Sequence, residues 1–139
     1  MGNNTFRHMP SWPRFLPMLL VMAVLFSLSQ LPGDSIHLPP FSGSDKVAHC
    51  LAYAVLAATA ILAFSPQRPA VRAILAFVIS AIYGASDEWH QSFVIGRTMS
   101  FFDFLADCLG AALCIGCWLF WRWVMDKRRK LSPIRQMEN

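Results

Sequence analysis

The chain has 139 residues, of which 55% are hydrophobic and 14% are charged, and its mean hydropathy is +0.43. A soluble domain carries nearer a quarter charged residues, so the composition excludes an ordinary soluble protein and indicates a single-domain integral membrane protein. The net charge of +4 does not indicate nucleic-acid binding, because the basic residues lie at the ends of apolar segments, where the positive-inside rule accounts for them.

Four apolar stretches follow one another along the chain, over residues 15–31, 45–64, 70–91 and 102–125. Each is close to the ~20 residues that a membrane-spanning helix needs. The first is expected to remain as a helix and not to be cleaved as a signal peptide, because its apolar core is longer than a usual signal-peptide core. The prediction is an all-α, polytopic four-transmembrane-helix bundle over 15–125, with an N-terminal cytoplasmic segment over 1–14 and a basic, disordered cytoplasmic tail over 126–139.

The charges divide between the two ends of these predicted helices. With the N-terminus in the cytoplasm, ten of the twelve Lys and Arg residues fall on the cytoplasmic side: Arg7, Arg14, Arg68, Arg72, Arg122, Lys127, Arg128, Arg129, Lys130 and Arg135. Most acidic residues fall on the other side: Asp34, Asp45, Asp87, Glu88, Asp103 and Asp107. This division predicts an even number of spans, with both termini in the cytoplasm.

Ionisable residues open the second stretch, in the segment SDKVAHCLAY. Asp45, His49 and Tyr53 are spaced i, i+4, i+8, so they line one face of a helix. Lys46 lies off this stripe and is expected to extend toward the lipid headgroups. Ionisable residues within a membrane usually face the bundle interior, so we expect the stripe to do so.

Polar residues also mark the facing ends of the third and fourth stretches. Glu88 and Gln91 share a face near the end of the third stretch, and Arg97 follows in a short loop. Asp103 and Asp107 are spaced i, i+4 at the start of the fourth. Three helices therefore bring polar groups to the same membrane leaflet.

Carboxylates outnumber bases in this predicted cluster. An ion pair of Arg97 with Asp103 or Glu88 would hold the helices in register, and a purely structural network of this kind would be balanced in charge. The excess leaves three alternatives, which are bound protons, a bound cation or a cationic ligand. The acids are Asp45, Glu88, Asp103, Asp107 and the more peripheral Asp87.

These segments resemble the VanZ-like family of small bacterial membrane proteins, whose pattern is D-K-x-x-H-x-x-x-Y, then E-x-x-Q, then G-R, then D-x-x-x-[ND]-x-x-G. The matching residues are Asp45, Lys46, His49, Tyr53, Glu88, Gln91, Gly96, Arg97, Asp103, Asp107 and Gly110. Position 107 is Asp where many members have Asn, and Ile95 stands where a proline often precedes Gly-Arg. An extra charge and a less rigid loop are the expected consequences.

The resemblance implies a multi-pass protein of the bacterial cytoplasmic (inner) membrane and cell envelope, and an association with resistance to the glycopeptide antibiotic teicoplanin. Teicoplanin acts outside the membrane, on a lipid-linked cell-wall precursor. We therefore predict an outward-facing site for a lipid headgroup or lipid-linked envelope precursor, with membrane lipids as partners and no nucleic acid. The ligand-binding candidates are Asp45, Lys46, His49, Tyr53, Glu88, Gln91, Arg97, Asp103 and Asp107.

Two alternatives stay open. The first is a membrane-embedded enzyme acting on an envelope lipid or cell-wall precursor, with His49 or Glu88 as general base, oriented by Asp45 or Asp103. Its catalytic candidates are His49, Glu88 and Asp103. The second is a structural ion-pair network in an assembly protein.

No cofactor is predicted. One form of the enzyme alternative includes a divalent metal, with His49, Glu88 and Asp103 as its ligands. No familiar metal-binding spacing supports this form. The small-residue stripe of Ala106, Gly110 and Cys114 suits either internal packing or an oligomer.

Overall fold

Four long helices make up most of the chain that the computed structural model describes, which is residues 12–33, 39, 41–65 and 67–137, with the backbone alone for 131–137. A 3₁₀ turn, Trp12–Phe15, leads into α1 (Leu16–Ser29), and α2 (Ser44–Ala63), α3 (Pro69–Gln91) and α4 (Phe101–Met137) follow. By length and composition, four helical segments suit a membrane span, and the described residues contain no strand. The predicted four-helix membrane bundle is confirmed.

The helix starts coincide with the breaks in the sequence. α2 follows Gly43, whose φ of 85° lies in the left-handed region that favours glycine. α3 begins with Pro69, which suits a first helical position because the N–H it lacks would have had no partner there. α4 follows Ser100, whose hydroxyl oxygen accepts a hydrogen bond from the Asp103 N–H at 3.3 Å.

Small residues bring α2 and α4 close together, and this is the most extensive helix pair in the bundle. A Cβ added at Gly110 would meet the backbone carbonyl of Cys50 on the facing helix. Ala57 and Ala60 of α2 and Ala111 of α4 are fully buried. The glycine and alanines therefore set the short α2–α4 distance, on which the polar contacts described below depend.

α1 lies at the side of the bundle, since its described residues contact α2 and α3 but not α4. Most of its apolar side chains point outward, and Leu20 is 66% exposed. The Tyr83 hydroxyl donates to the Met22 carbonyl at 2.5 Å, and Phe15 packs edge-on against Phe64. One face of α1 packs on the core through Met18, Val21, Met22 and Leu25, and these specific contacts add to that packing.

Successive helices run in opposite directions. The start of α3 lies beside the late part of α4, because the Arg72 guanidinium stacks over Trp118 at 4.7 Å. We call this end of the bundle the basic end, because it carries Arg68, Arg72, Arg122 and Lys127. We call the opposite end of the bundle the polar end. The start of α1 and the end of α4 both lie at the basic end, as an even number of spans requires. Arg7, Asp34 and Glu138 lie outside the described residues.

α4 is longer than the sequence predicted. The sequence predicts a disordered tail over 126–139, whereas α4 continues to Met137. Lys and Arg are good helix formers, and the Lys127 ammonium lies 4.4 Å from the ring centre of Trp123 one turn earlier. At ~1.5 Å per residue the helix is roughly 55 Å long, more than the ~30 Å membrane core. Its basic end therefore projects beyond the membrane.

Candidate functional site

A cavity of about 530 Å³ opens at the polar end, between α1, α2, α3 and the segment that leads into α4. Its apolar wall includes Leu25 and Leu28 of α1 and Ala48 and Ala52 of α2. Six of the nine predicted ligand-binding residues line it: Asp45, His49, Tyr53, Gln91, Arg97 and Asp103. The cavity therefore combines an apolar wall with a polar one.

The Arg97 guanidinium ties the end of α1 to α3. Its Nε donates to the Leu31 carbonyl at 3.1 Å, and its Nη2 donates to the Leu28 carbonyl at 3.3 Å. Its Nη1 donates to Gln91 Oε1 at 3.0 Å. Carbonyls at a helix C-terminus have no partner within the helix and carry partial negative charge, so a guanidinium suits them.

The sequence analysis paired Arg97 with Asp103 or Glu88, and the structure corrects this. Among the described residues, Arg97 forms no ion pair. The conformation of the loop explains the difference. Gly96 has a φ of 75°, and the Gly33 N–H donates to the Ile95 carbonyl at 3.3 Å. This contact holds the loop against the end of α1, so the guanidinium reaches α1 instead of the carboxylates.

Asp87 extends the same set of contacts into the interior. Its Oδ1 accepts from the Ser29 hydroxyl at 2.5 Å, and its Oδ2 accepts from Gln91 Nε2 at 3.0 Å. Asp87 is 7% exposed, so it is buried and not peripheral as the sequence suggested. We name Ser29, Asp87, Gln91 and Arg97 the Arg97 network, and all of its polar side chains have partners.

A second set of contacts joins α2, α3 and α4. His49 Nδ1 lies 2.9 Å from Asp107 Oδ1 and 3.9 Å from Glu88 Oε1. Glu88 Oε2 accepts from the Ser100 N–H at 2.8 Å. Asp107 is fully buried and Glu88 is 3% exposed. We name His49, Glu88, Asp103 and Asp107 the His49 network.

Lys46 stands at the edge of this network, where its Nζ lies 2.9 Å from both Asp45 Oδ2 and Asp103 Oδ1. It was expected to extend toward the headgroups, but it bridges two carboxylates instead. Asp45 and Asp103 were expected to orient His49, whereas the structure places Asp107 in that role. A side chain at i+1 turns about 100° from its neighbour on a helix, and here that turn brings Lys46 to α4.

Three buried oxygens near His49 have no hydrogen-bond partner within the described part of the chain: Tyr53 Oη, Glu88 Oε1 and Asp107 Oδ2. Such atoms are uncommon in folded proteins, and each calls for an explanation. A Cβ at Gly84 would lie 2.9 Å from Asp107 Oδ2, so this glycine makes room for the buried carboxylate. The His49 network thus has acceptor capacity that the described residues do not fill.

Two serines that were not predicted from the sequence donate hydrogen bonds to the carboxylates. The Ser29 hydroxyl donates a hydrogen bond to Asp87, and the Ser100 N–H donates one to Glu88. The only sequence feature that marks Ser29 is a hydroxyl in an otherwise apolar helix, and nothing marks the backbone N–H of Ser100. His90 does not line the cavity and stacks on Phe26.

Comparison with known proteins gives one match. A family model described as VanZ/LLP1 matches residues 14–122, a range that reaches all four helices and contains both networks. No curated protein and no solved structure matches the chain. The motif residues on which the sequence resemblance rests therefore lie within the matched range.

Proposed function

We propose that this chain, which belongs to the VanZ/LLP1 family, binds a lipid headgroup or a lipid-linked envelope precursor in the cavity at the polar end. The observation that carries the proposal is the mixed lining of that cavity, in which leucines and alanines lie opposite charged and amide side chains. An amphiphilic ligand needs both surfaces. Small-molecule sites generally combine an apolar wall with a few placed polar groups, and about 530 Å³ lies within their usual range.

The polar groups suit a phosphate-bearing headgroup with hydroxyls or amines. A guanidinium has five N–H donors, and Arg97 uses three of them within the protein. The other donors on its cavity-lining side chain have no partner among the described residues, and their geometry suits a phosphate oxygen. Asp45 and Asp103 would accept from hydroxyls or amines at the rim.

The division of charges supports an orientation with the polar end on the outer side of the bacterial cytoplasmic membrane. Lipid-linked cell-wall precursors are exposed on that side. The association of the family with teicoplanin resistance is consistent with this location, because the antibiotic acts on the same precursors. A protein that binds such lipids would change their availability to the antibiotic.

A cavity-filling substitution tests the proposal. Native mass spectrometry of protein extracted from membranes should show a copurified lipid on the wild type. Ala52→Leu adds bulk to the cavity wall without changing charge, so the variant should lose that lipid. Ala112→Leu makes the same change on an exposed position of α4 outside the cavity, and should retain it. A melting curve on each variant shows whether the fold is kept.

Loss of lipid in Ala52→Leu at an unchanged melting temperature would support the cavity as the binding site. Equal lipid retention in both variants would sink the proposal. If wild type carries no lipid at all, the structural alternative gains, and the Lys46 bridge between Asp45 and Asp103 becomes its main support.

A second function, a membrane-embedded enzyme, is favoured by the contact between His49 and Asp107. A carboxylate bonded to one imidazole nitrogen fixes the ring and leaves the other nitrogen to accept a proton from a substrate. Glu88 is the alternative general base. Incubation of a lipid-linked precursor with wild type, His49→Ala and Glu88→Gln should show turnover only in wild type if this function is correct.

A further inference from the structure

The His49 network holds three ligand-type atoms in one place. One ring nitrogen of His49, one carboxylate oxygen of Glu88 and one of Asp103 all lie within 4.8 Å of one another. The three residues come from α2, α3 and α4, so the packing of three helices fixes their positions. The sequence spacing gives no metal motif, because the residues lie far apart along the chain.

The buried oxygen of Glu88 points to a missing positive partner. The Glu88 side chain is 4% exposed, and its Oε2 is held by the Ser100 N–H at 2.8 Å. Its Oε1 has no hydrogen-bond partner among the described residues and lies 3.9 Å from His49 Nδ1. Burying an unpaired carboxylate oxygen is costly, so a cation beside it would offset that cost.

The two fixed cations nearby, Arg97 and Lys46, do not supply this charge to Glu88. The Arg97 guanidinium donates to two backbone carbonyls and to Gln91, which are all neutral groups. The Lys46 ammonium forms ion pairs with both Asp103 and Asp45. The fixed positive charges of Arg97 and Lys46 are therefore directed away from Glu88, whose free oxygen has His49 as the only basic group within 4 Å in the part of the chain that the structure describes.

Asp107 supplies the support that a metal-bound imidazole normally has. Its Oδ1 lies 2.9 Å from His49 Nδ1, so a proton on Nδ1 is held between the two atoms. With that proton in place, Nε2 carries a free lone pair. A carboxylate bonded to the far nitrogen of a metal-binding histidine orients the ring and raises its basicity.

We propose that His49, Glu88 and Asp103 bind one divalent metal ion of the Zn²⁺ or Mn²⁺ class, with Asp107 as a positioning residue. One imidazole with two carboxylates suits these ions, whereas Ca²⁺ takes about six to eight oxygen ligands. Ligand atoms about 2.0–2.2 Å from a metal lie roughly 3.4 Å from one another. Movements of these side-chain atoms by about an ångström bring them to that separation. His49 and Asp103 line the cavity, which gives the ion an entry path.

This site goes beyond the proposed lipid binding and does not depend on it. Three protein ligands leave at least one coordination position open, on the side of the cavity. An oxygen of a headgroup phosphate has the chemistry to fill that position. The metal would then place a positive charge where the cavity has an excess of carboxylates.

The test uses the full chain, stripped with a chelator and held in detergent without added lipid. Equilibrium dialysis against Zn²⁺ or Mn²⁺ alone, followed by elemental analysis, measures stoichiometry and affinity. Wild type should bind about one equivalent of one of the two ions, and its melting temperature should rise with metal concentration. Glu88→Gln should weaken binding more than about tenfold, because it removes the charge and keeps the shape. Asp126→Asn, an exposed carboxylate at the basic end, should bind as wild type does.

Three outcomes decide the matter. One equivalent on wild type, weakened in a Glu88→Gln variant with an unchanged metal-free melting temperature, supports the site. If Glu88→Gln does not fold, Asp103→Asn replaces it, since that carboxylate is nearer the surface. Equal binding by wild type and the variant, or no binding by wild type, overturns the site.

Asp107→Asn should still bind one equivalent of metal, with an affinity about 10- to 100-fold lower, which a merely structural residue would not cause. Because dialysis against the metal ion measures metal binding alone, failure here leaves the lipid proposal standing.

Discussion

The two networks at the polar end use similar side chains but differ in how far the protein itself satisfies them. In the Arg97 network, both oxygens of Asp87 accept hydrogen bonds, and Gln91 bonds through both its amide nitrogen and its oxygen. In the His49 network, Glu88 and Asp107 each keep one buried oxygen without a partner in the described residues. A network whose carboxylate oxygens are all hydrogen-bonded can hold helices together. A network with unpaired buried oxygens suggests that a further ligand binds there.

Their positions in the fold agree with this difference. The Arg97 network lies between α3 and the peripheral helix α1, which otherwise has few contacts with the bundle. The His49 network lies between α2, α3 and α4, beside the close contact of Gly110 with Cys50. The first therefore adds to the attachment of the least packed helix, and the second lies among the three most extensively packed helices.

The largest expected effect comes from separating α2 from α4, which breaks the His49 network alone. Gly110→Ala places a methyl group against the Cys50 carbonyl, so we expect a loss of about 3 kcal/mol or more. Gly116→Ala is the matched control, because a Cβ there meets nothing within 4 Å and alanine is the better helix former. Thermal unfolding in detergent measures both. Similar melting temperatures would show that the close α2–α4 approach is not as described.

The same substitution in each network gives the next largest effect. Asp87→Asn replaces an acceptor by an NH₂ that faces either Ser29 or Gln91, so we expect a loss of about 1–3 kcal/mol. Asp107→Asn keeps an oxygen for His49 and removes a buried charge, so stability should hold or rise. Chemical denaturation of the two variants makes the comparison. Equal losses would erase the distinction between the networks.

The smallest effect is expected from Arg97, whose hydrogen bonds are partly exposed. Arg97→Ala should cost about 1–2 kcal/mol, because it leaves the Leu28 and Leu31 carbonyls without a donor. Arg68→Ala, which removes an exposed guanidinium at the basic end, should change stability by less than about 0.5 kcal/mol. Hydrogen exchange adds a local readout, since α1 amides should lose protection in Arg97→Ala while α2 and α4 amides keep theirs. Uniform loss of protection would contradict the assignment of Arg97 to α1.

The helices were predictable because their cause is local. Apolar runs of about 20 residues, separated by proline and glycine, predict membrane-spanning helices whatever their neighbours are. The predicted boundaries differ from the observed ones by a residue or two, except at the end of α4. There α4 continues through a run of basic residues, which have high helix propensity.

The candidate site was predictable as a set of residues but not as a set of pairs. Helical spacing places Asp45, His49 and Tyr53 on one face of α2 whatever the rest of the fold is. It does not say which carboxylate of α3 or α4 meets His49. Family resemblance names the same residues, again without pairing them.

What the sequence alone determined about this protein is its class, its four spans, the division of its charges and the residues of its polar end. Only the tertiary structure decided that Arg97 holds α1, that Lys46 bridges Asp45 and Asp103, and that Asp107 orients His49. The physical reason is that helix formation and membrane insertion depend on neighbours along the chain. Partners of a buried charge are set by the rotation and spacing of packed helices, and here small residues such as Gly110 fix that spacing.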